Sequence, residues 1–367
     1  MAYMVYIRDS ILATLIYYDI LDFPLTMLEV YKYLINPERL SSSRSVAIPR
    51  SDLQSSPGVG MPTLRDKEVP RSNLKELNLG ITLGQVRQSL DDLVSIGHIG
   101  SKNGFYFLPG RDALYELRIE KEKIAAQKWK KFLRITKWFQ AVPYLRAILA
   151  SGSLAMNNTD HQSDFDVLAV ARSGRLYTCR IFLSLAASLF GARRTRYEKS
   201  APDKFCFNHY ITDKNMNIRH ESLYNAQTYA NLKPVMVSNE IFSRFYTENI
   251  WLNKYIYNFK LLWWSDHYNS LKVSSNVVLM GVRKIGEFIL NFPLGDRIED
   301  WAKKYQQKRI KKNPATYESG GRVVFNDNEL EFHPRSFEAF VVDRYNKRLK
   351  QLGIIPYAEE KDSGLTA

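Results

Sequence analysis

Cysteine and histidine are scarce in this chain, which has 2 cysteines and 6 histidines among its 367 residues. Cys179 lies in an apolar helical pattern and Cys206 in a strand-like run, and neither belongs to a Cys-x-x-Cys or Cys/His cluster. This usage disfavours a disulfide scaffold and a zinc site. It fits a reducing compartment, so we expect a cytoplasmic protein.

Long apolar runs are also missing, since no stretch reaches the roughly 18 uninterrupted apolar residues typical of a membrane helix. The most apolar region, Val277 to Leu294, contains Arg283, Lys284 and Glu287, so it predicts a buried helix. The first fifteen residues are interrupted by Arg8 and lack a small-residue cleavage site, which argues against a secretory signal. We therefore expect no membrane partner.

Acidic residues are outnumbered, with 38 Asp and Glu against 52 Lys and Arg and a net charge of +14. Such an excess favours anionic partners such as nucleic acid, nucleotides or acidic proteins, although a generally basic surface is an equal alternative. Hydrophobic residues at 45% and charged residues at 25% are typical of globular proteins and argue against disorder. The length indicates two or three domains.

Residues 1–110 predict a winged-helix-like domain that carries a flexible insertion. Two short helices are expected over 8–35, and the Ser-, Pro- and Gly-rich stretch 37–80 is the insertion. A third helix is expected over 82–96, followed by a hairpin over 98–108 with an Asn-Gly turn. Such a domain either binds DNA or RNA, or serves dimerisation or packing against the next domain.

The remaining chain divides into a connecting helix, a central core and a carboxy-terminal region. A basic cluster on the connecting helix is interpreted as a solvated face (Lys128, Lys130, Lys131). A basic stretch at 301–312 contains no acid and is either a nucleic-acid contact or a charged helix end. The predicted units are the connecting helix 111–140, the central core 141–220, the mainly helical region 221–352 and the mobile tail 353–367.

Two short segments of the core carry residues that suit phosphate and metal chemistry. Gly152-Ser153 follows a buried strand, and Asp164-Phe165-Asp166 leads into a second one. A glycine lets the backbone approach a phosphate closely, and Ser153 would open a helix whose free N–H groups can cradle phosphates. Two carboxylates that are two residues apart on a strand share one face, where they can hold Mg²⁺ or Mn²⁺.

The segment GSLAMNNTDHQSDFDVLAV resembles the signature of the DNA polymerase β-like nucleotidyltransferase superfamily. The layout is also similar to that of bacterial nucleotidyltransferase-domain proteins with an amino-terminal winged segment. The resemblance implies an α/β (α+β) nucleotidyltransferase core between a winged-helix-like domain and a carboxy-terminal helical region. It implies Asp164 and Asp166 as catalytic metal ligands, and Gly152 and Ser153 as phosphate-binding residues.

Three further residues are candidates near this site. Ser163 and Arg175 are predicted to contact the nucleotide. Active members of the superfamily usually place a third carboxylate on a later strand, and Asn208 occupies roughly that position here. Asp203 and Asp213 flank this strand and would reach the site only from its ends.

A basic loop precedes the Asn208 strand (Arg193, Arg194, Arg196). It is either a contact for phosphates or an acidic acceptor, or a solvated loop.

These features predict an enzyme that transfers a nucleoside monophosphate from a nucleoside triphosphate to a hydroxyl of a protein, RNA or small molecule. The alternative is a fold that has lost catalysis and acts as a nucleotide sensor or a nucleic-acid-binding module. Without an identified third carboxylate, the pattern leaves both open. Base, acceptor and oligomeric state are not specified by the sequence.

Overall fold

The computed structural model describes most of the chain, with side chains from residue 7 onward. The described residues are 2–40, 80–195, 198, 200–259, 271–291, 293–318, 321–334 and 336–363.

The amino-terminal part contains three helices and a small sheet, in the order expected. Threonine residues cap the start of two of the helices. The side chain of Thr26 accepts a hydrogen bond from the backbone N–H of Glu29, and the Glu29 side chain accepts one from the backbone N–H of Thr26. Thr82 and Gln85 form the same reciprocal pair. This reciprocal capping satisfies backbone donors that a helix start leaves unpaired. The elements are α1 Ala2–Asp19, β1 Leu25–Thr26, α2 Met27–Lys32, α3 Leu83–Ser95, β2 Gly100–Lys102 and β3 Phe105–Phe107.

The expected hairpin is present, and its turn explains the Asn-Gly pair. Asn103 and Gly104 have φ of 50° and 82°, the left-handed conformations that a tight two-residue turn requires. Strand β3 lies between β1 and β2. Of the predicted insertion 37–80, residues 37–39 form a single helical turn, while 41–79 lie outside the described residues.

A six-stranded mixed sheet forms the centre, which confirms the expected mixed α/β class. Its order is β7-β4-β5-β6-β9-β8. Strands β5 and β6 are parallel, and the other neighbours are antiparallel. The strands are β4 Leu145–Ala150, β5 Phe165–Ala171, β6 Phe205–Thr212, β7 Lys233–Met236, β8 Arg322–Phe325 and β9 Glu329–His333.

Helices cover both faces of the sheet. One face packs on the long connecting helix α4 (Leu114–Thr136) and on α6 (Leu176–Leu189), which links β5 to β6. Between them in the chain, α5 is a single turn (Gly152–Ala155). The other face packs on α1 and on later helices. Those helices are α7 Leu223–Ala230, α8 Asn239–Glu248 and α11 Glu338–Gln351.

Residues 221–352 are mainly helical, as expected, but they also supply β7, β8 and β9 to the central sheet. The core therefore does not end near residue 220. Two further helices, α9 (Val277–Leu290) and α10 (Pro293–Lys311), belong to this region. The prediction of a buried helix at Val277–Leu294 is wrong, since α9 has no buried residue. Among the described residues, no helix combines the length and apolarity needed to cross a membrane.

The carboxy-terminal segment is held to the body over residues 353–363, contrary to the expected mobile tail. Glu360 accepts two hydrogen bonds from Arg39, at 2.7 and 2.8 Å. Ser363 donates its backbone N–H to Glu338 at 2.9 Å. Residues 364–367 lie outside the described residues.

Candidate functional site

The two halves of the motif meet at one end of the sheet. Strand β4 ends at Ala150, and the N–H of Ser151 donates to the carbonyl of Asp166 at 2.9 Å. Gly152 then adopts a φ of 63°, and a Cβ atom there would lie 2.4 Å from Oδ2 of Asp166. Glycine is therefore required at residue 152 for two reasons: the backbone is left-handed, and the Asp166 carboxylate leaves no space for a Cβ atom.

Asp164 and Asp166 open β5 on the same side of the sheet, as the alternation of a strand dictates. Phe165 points to the opposite face, where it is fully buried and meets the ring of Phe132 at 5.3 Å. This aromatic anchor fixes the start of β5 against the connecting helix. The predicted placement of Asp164, Phe165 and Asp166 is therefore present in the structure.

Strand β6 brings two side chains to the carboxylates. Cys206 is paired with Asp166 across the parallel ladder, and the register then shifts so that Leu168 faces His209. This shift is a bulge in β6, which lets nearby residues turn to one side. Asn208 donates its side-chain amide to Oδ1 of Asp166 at 3.1 Å. Asn208 thus lies at the site as expected, but it acts as a hydrogen-bond donor to a carboxylate.

Cys206 is a site residue that sequence reasoning missed. Its sulfur and one oxygen each from Asp164 and Asp166 all lie within 4.8 Å of one another. Cys206 lies two residues before Asn208 on the same strand, so strand alternation indicates Cys206 only once the superfamily resemblance has placed Asn208 at the site.

Arg194 brings a positive charge to this cluster. Its Nη1 is hydrogen-bonded to Oδ2 of Asp164 and lies 3.8 Å from Sγ of Cys206. The guanidinium is about one third exposed and lies at the edge of an open cleft. Of the three loop arginines, Arg194 contacts the carboxylate of Asp164. The backbone of Arg193 forms an isolated β-bridge with Phe205, and Arg196 lies outside the described residues.

The electrostatics of the cluster favour a bound cation. Burial and the neighbouring Asp164 charge raise the pKa of Asp166 to about 7, against the opposing effects of Arg194, Cys206 and Asn208. Burial, followed by the charges of Asp166 and Asp164, raises the pKa of the Cys206 thiol. Like charges held together in a poorly solvated place disfavour ionisation, and a metal ion reverses that preference.

A lysine from the connecting helix holds the loop that leads to Asp164. The buried Lys128 ammonium donates to the carbonyl of Ser163 at 2.8 Å and to Asp203 at 2.7 Å. The interpretation of Lys128 as part of a solvated face is therefore wrong. A sequence signal was available, because Lys128 lies four residues from both Ile124 and Phe132, on the apolar stripe of the helix.

Ser163 lines the cleft beside Asp164, although its hydroxyl is engaged in a local turn. It donates to Oδ1 of Asp160 at 2.8 Å. The cleft has a volume of about 290 Å³. Its lining residues are Asp160, Gln162, Ser163, Asp164, Arg194, Ser200 and Ala201.

Arg175 does not lie at this site, which corrects the prediction. It follows the far end of β5, and seven residues of strand span about 20 Å. There it forms an ion pair with Asp296 at 2.5 Å. Asp213 also lies at that end, where it accepts the N–H of Ser173. Asp203 is near the site but is neutralised by Lys128 and Lys131.

The donor set fits a divalent cation, since two carboxylates from one strand converge with a third ligand-type atom. Asp164 and Asp166 would hold the ion. Gly152 and Ser153 begin the single turn α5, and Gly152 packs against Asp166. Comparisons with protein-family models, curated proteins and solved structures gave no match to this chain.

Proposed function

We propose that the protein is a metal-dependent nucleotidyltransferase, which moves a nucleoside monophosphate from a nucleoside triphosphate to a hydroxyl acceptor. The observation that supports the proposal is the close packing of Gly152, at the start of the Gly-Ser turn, against the carboxylate of Asp166. Positioning and charge stabilisation are the main demands of phosphoryl and nucleotidyl transfer.

Each residue has a role that its surroundings support. Asp164 and Asp166 would hold Mg²⁺ or Mn²⁺, which when bound supplies positive charge opposite the transferred phosphoryl group. Asn208 orients the Asp166 carboxylate through its amide. Gly152 and Ser153 would hold the phosphates through backbone N–H groups and the hydroxyl. Arg194, at the mouth of the cleft, would bind phosphate oxygens.

The test is incubation with each α-labelled nucleoside triphosphate, Mn²⁺ or Mg²⁺, and cell extract. Wild type should place label on an acceptor, and the Asp164→Ala/Asp166→Ala double variant should place none. Asp327→Ala is the matched control, because that exposed carboxylate pairs with Lys303 at the opposite end of the sheet. Equal labelling by wild type and the double variant would refute the proposal.

The amino-terminal part supports a winged-helix-like fold, because its helices, β1 and the β2–β3 hairpin follow that order. Its third helix is poorly suited to phosphate contacts. Arg87 lies 4.0 Å from Asp91, and Arg8 pairs with Asp92 at 2.5 Å, so acids offset the bases. This balance favours a packing role over DNA reading.

Binding of single-stranded nucleic acid is a second candidate function, supported by α10. Trp301 and Tyr305 are 60% and 47% exposed, and their rings stack at 5.6 Å with an angle of 6°. Lys304, Lys308 and Lys312 flank them on the exposed side of the basic stretch. Exposed aromatic rings beside lysines are the parts with which proteins stack bases and neutralise phosphates.

Tryptophan fluorescence with a homopolymeric oligonucleotide tests this second function. Binding should quench fluorescence, weaken with salt and weaken further in the Lys304→Gln/Lys308→Gln variant. Loss of two phosphate contacts on a single strand should reduce the salt slope by about 1.4. Binding that ignores salt would exclude this use of α10.

A further inference from the structure

We propose that Cys206 is the third metal ligand of the site, and that its thiolate makes the site selective for a transition-metal dication of the zinc class over Mg²⁺. The inference deepens the proposed function, on whose metal site it rests. Thiolate ligands favour Zn²⁺ and related soft ions, whereas Mg²⁺ favours carboxylates and water. One sulfur among two carboxylates therefore changes which ion is held most tightly.

The geometry needs little adjustment for this role. The sulfur of Cys206 and oxygens of Asp164 and Asp166 lie within 4.8 Å of one another. At a tetrahedral angle, ligand atoms about 2.0–2.3 Å from a shared ion lie about 3.3–3.8 Å from each other. Side-chain rotations that bring the three atoms closer by at most about 1.5 Å would therefore place them around one ion.

A positive group already occupies the space beside two of these ligands. The Nη1 atom of Arg194 contacts both Asp164 and Cys206 Sγ, the latter at 3.8 Å. The positively charged guanidinium thus lies between a carboxylate and the sulfur, where a metal ion would bind. This observation is independent of the mutual closeness of the three ligands. Arg194 is partly exposed, so an arriving metal ion can displace it toward the cleft.

Asn208 is a weaker candidate for the third ligand than Cys206. Its amide nitrogen is turned to Asp166, so it acts as a donor there, and a metal would require the amide oxygen instead. Cys206 is the ladder partner of Asp166 and faces the same cluster. When the metal–sulfur bond forms, the thiol proton passes to solvent and the thiolate enters the coordination shell.

Absorption spectroscopy with Co²⁺ tests the proposal without relying on enzyme activity. Wild type should show a near-ultraviolet thiolate-to-cobalt charge-transfer band that saturates at one ion. Cys206→Ser should lose the band, and Cys179→Ala should keep it, because Cys179 is buried on the opposite face of the sheet. Cobalt binding without this band, or a band that persists in Cys206→Ser, would overturn the proposal.

Ion preference is measured by competition. Cys206→Ser should weaken Cd²⁺ binding at least about tenfold and change Mg²⁺ binding much less. Cys206→Asp should reverse the preference toward Mg²⁺. Circular dichroism establishes that each variant is folded. Equal losses for Cd²⁺ and Mg²⁺ would contradict a sulfur ligand.

Thiol alkylation covers the case in which the Cys206 variants do not fold. In the Cys179→Ala protein, Cys206 is the remaining thiol, and Zn²⁺ should slow its alkylation whereas Mg²⁺ should not. Unchanged alkylation with Zn²⁺ would overturn the inference. A cobalt band without any nucleotidyl transfer would refute only the proposed function, and transfer with Mg²⁺ but no band would refute only the thiolate ligand.

Discussion

Gly152 and Asp166 are packed so closely that a side chain on the first would displace the second. An added Cβ would lie 2.4 Å from Asp166 Oδ2 and 3.1 Å from its Cβ, so rotation of the carboxylate alone would not remove the conflict. The φ of 63° adds backbone strain for any other residue. The missing side chain at residue 152 therefore leaves the space that the Asp166 carboxylate occupies.

Gly152→Ala should abolish high-affinity cation binding, because Asp166 must move away from Asp164. Strain in the left-handed conformation should also cost about 1–2 kcal/mol of unfolding free energy. Calorimetric titration with Mn²⁺ measures the first effect and urea denaturation the second.

Gly174→Ala is the matched control for this change. Gly174 has a φ of 75° and nothing within 4 Å of an added Cβ, and it lies at the far end of β5. It should lose a similar unfolding free energy and retain cation binding. A similar loss of binding in both variants would attribute the effect to strain and not to the Asp166 contact.

Lys128→Met should loosen the carboxylate site although residue 128 lies outside the carboxylate cluster. Removing the ammonium takes one donor from the carbonyl of Ser163, which keeps only the Asp203 N–H at 3.2 Å, and it also removes a bond to the Asp203 side chain. We expect a loss of about 1–3 kcal/mol in unfolding free energy and weaker Mn²⁺ binding. Urea denaturation and calorimetric titration measure these effects.

Lys131→Met is the comparison for Lys128, since it removes a bond to the same Asp203 and is 42% exposed. It should cost at most about 1 kcal/mol and leave Mn²⁺ binding unchanged. If the two variants behave alike, neutralisation of Asp203 matters and the anchoring of the Ser163 carbonyl does not.

The sequence predicted those structural features that are determined by residues close together in the chain, such as turns and the alternation of side chains along a strand. The turn at Asn103-Gly104 follows from the backbone freedom that a two-residue hairpin turn requires. The positions of Asp164 and Asp166 on one side of β5 follow from strand alternation.

Features set by long-range pairing were not predictable in the same way. Strand β7 is short, and its place beside β4 depends on pairing with residues more than 80 positions earlier, such as Ala150 with Lys233. Cys206 reaches Asp166 through the register of a parallel ladder, which no local pattern specifies. Arg175 appeared close in sequence to the motif, yet the length of β5 carries it to the opposite end.

In the metal-free protein, Asp166 should contribute a loss of stability as pH rises from about 4 to about 7, opposite in sign to His333, whose burial lowers its pKa to about 4. Asp166 has a folded pKa of about 7 against an ordinary value of 3.8, so the folded state binds more protons over this interval. The stabilisation that protonated Asp166 provides is complete below its pKa in the unfolded chain, and it is lost as pH rises through its pKa in the folded protein. Because the side chain is partly exposed, solvent screening reduces this contribution to the order of 1–2 kcal/mol. Chemical denaturation in a chelating buffer measures it.

Asp166→Asn should remove this contribution, so its stability relative to the metal-free wild type should rise between pH 4 and pH 7 and be greater above pH 7. Asp160→Asn should act with opposite sign at neutral pH, because the hydrogen bond from Ser163 lowers the pKa of Asp160. An unchanged slope in Asp166→Asn would show that another group causes the pH dependence.

Arg322→Met should destabilise the protein more than any loss of a surface ion pair. Arg322 donates two bonds to Glu331, at 2.7 and 2.8 Å, and one to Glu338 at 3.1 Å. Both carboxylates are almost fully buried, and although burial opposes ionisation, His209 and Arg322 lower the pKa of Glu331 to about 2. Removing the arginine leaves two buried charges without this partner, at a cost of about 3–5 kcal/mol.

The same substitution should release the carboxy-terminal segment, because Ser363 bonds to both Arg322 and Glu338. Limited proteolysis should therefore cut after residue 353 sooner in Arg322→Met than in wild type. Arg244→Met is the control, since its pair with Glu248 is half exposed and its loss should cost less than about 1 kcal/mol. If Arg322→Met unfolds at the same urea concentration as Arg244→Met, the buried network does not stabilise β8, β9 and α11 as its geometry indicates.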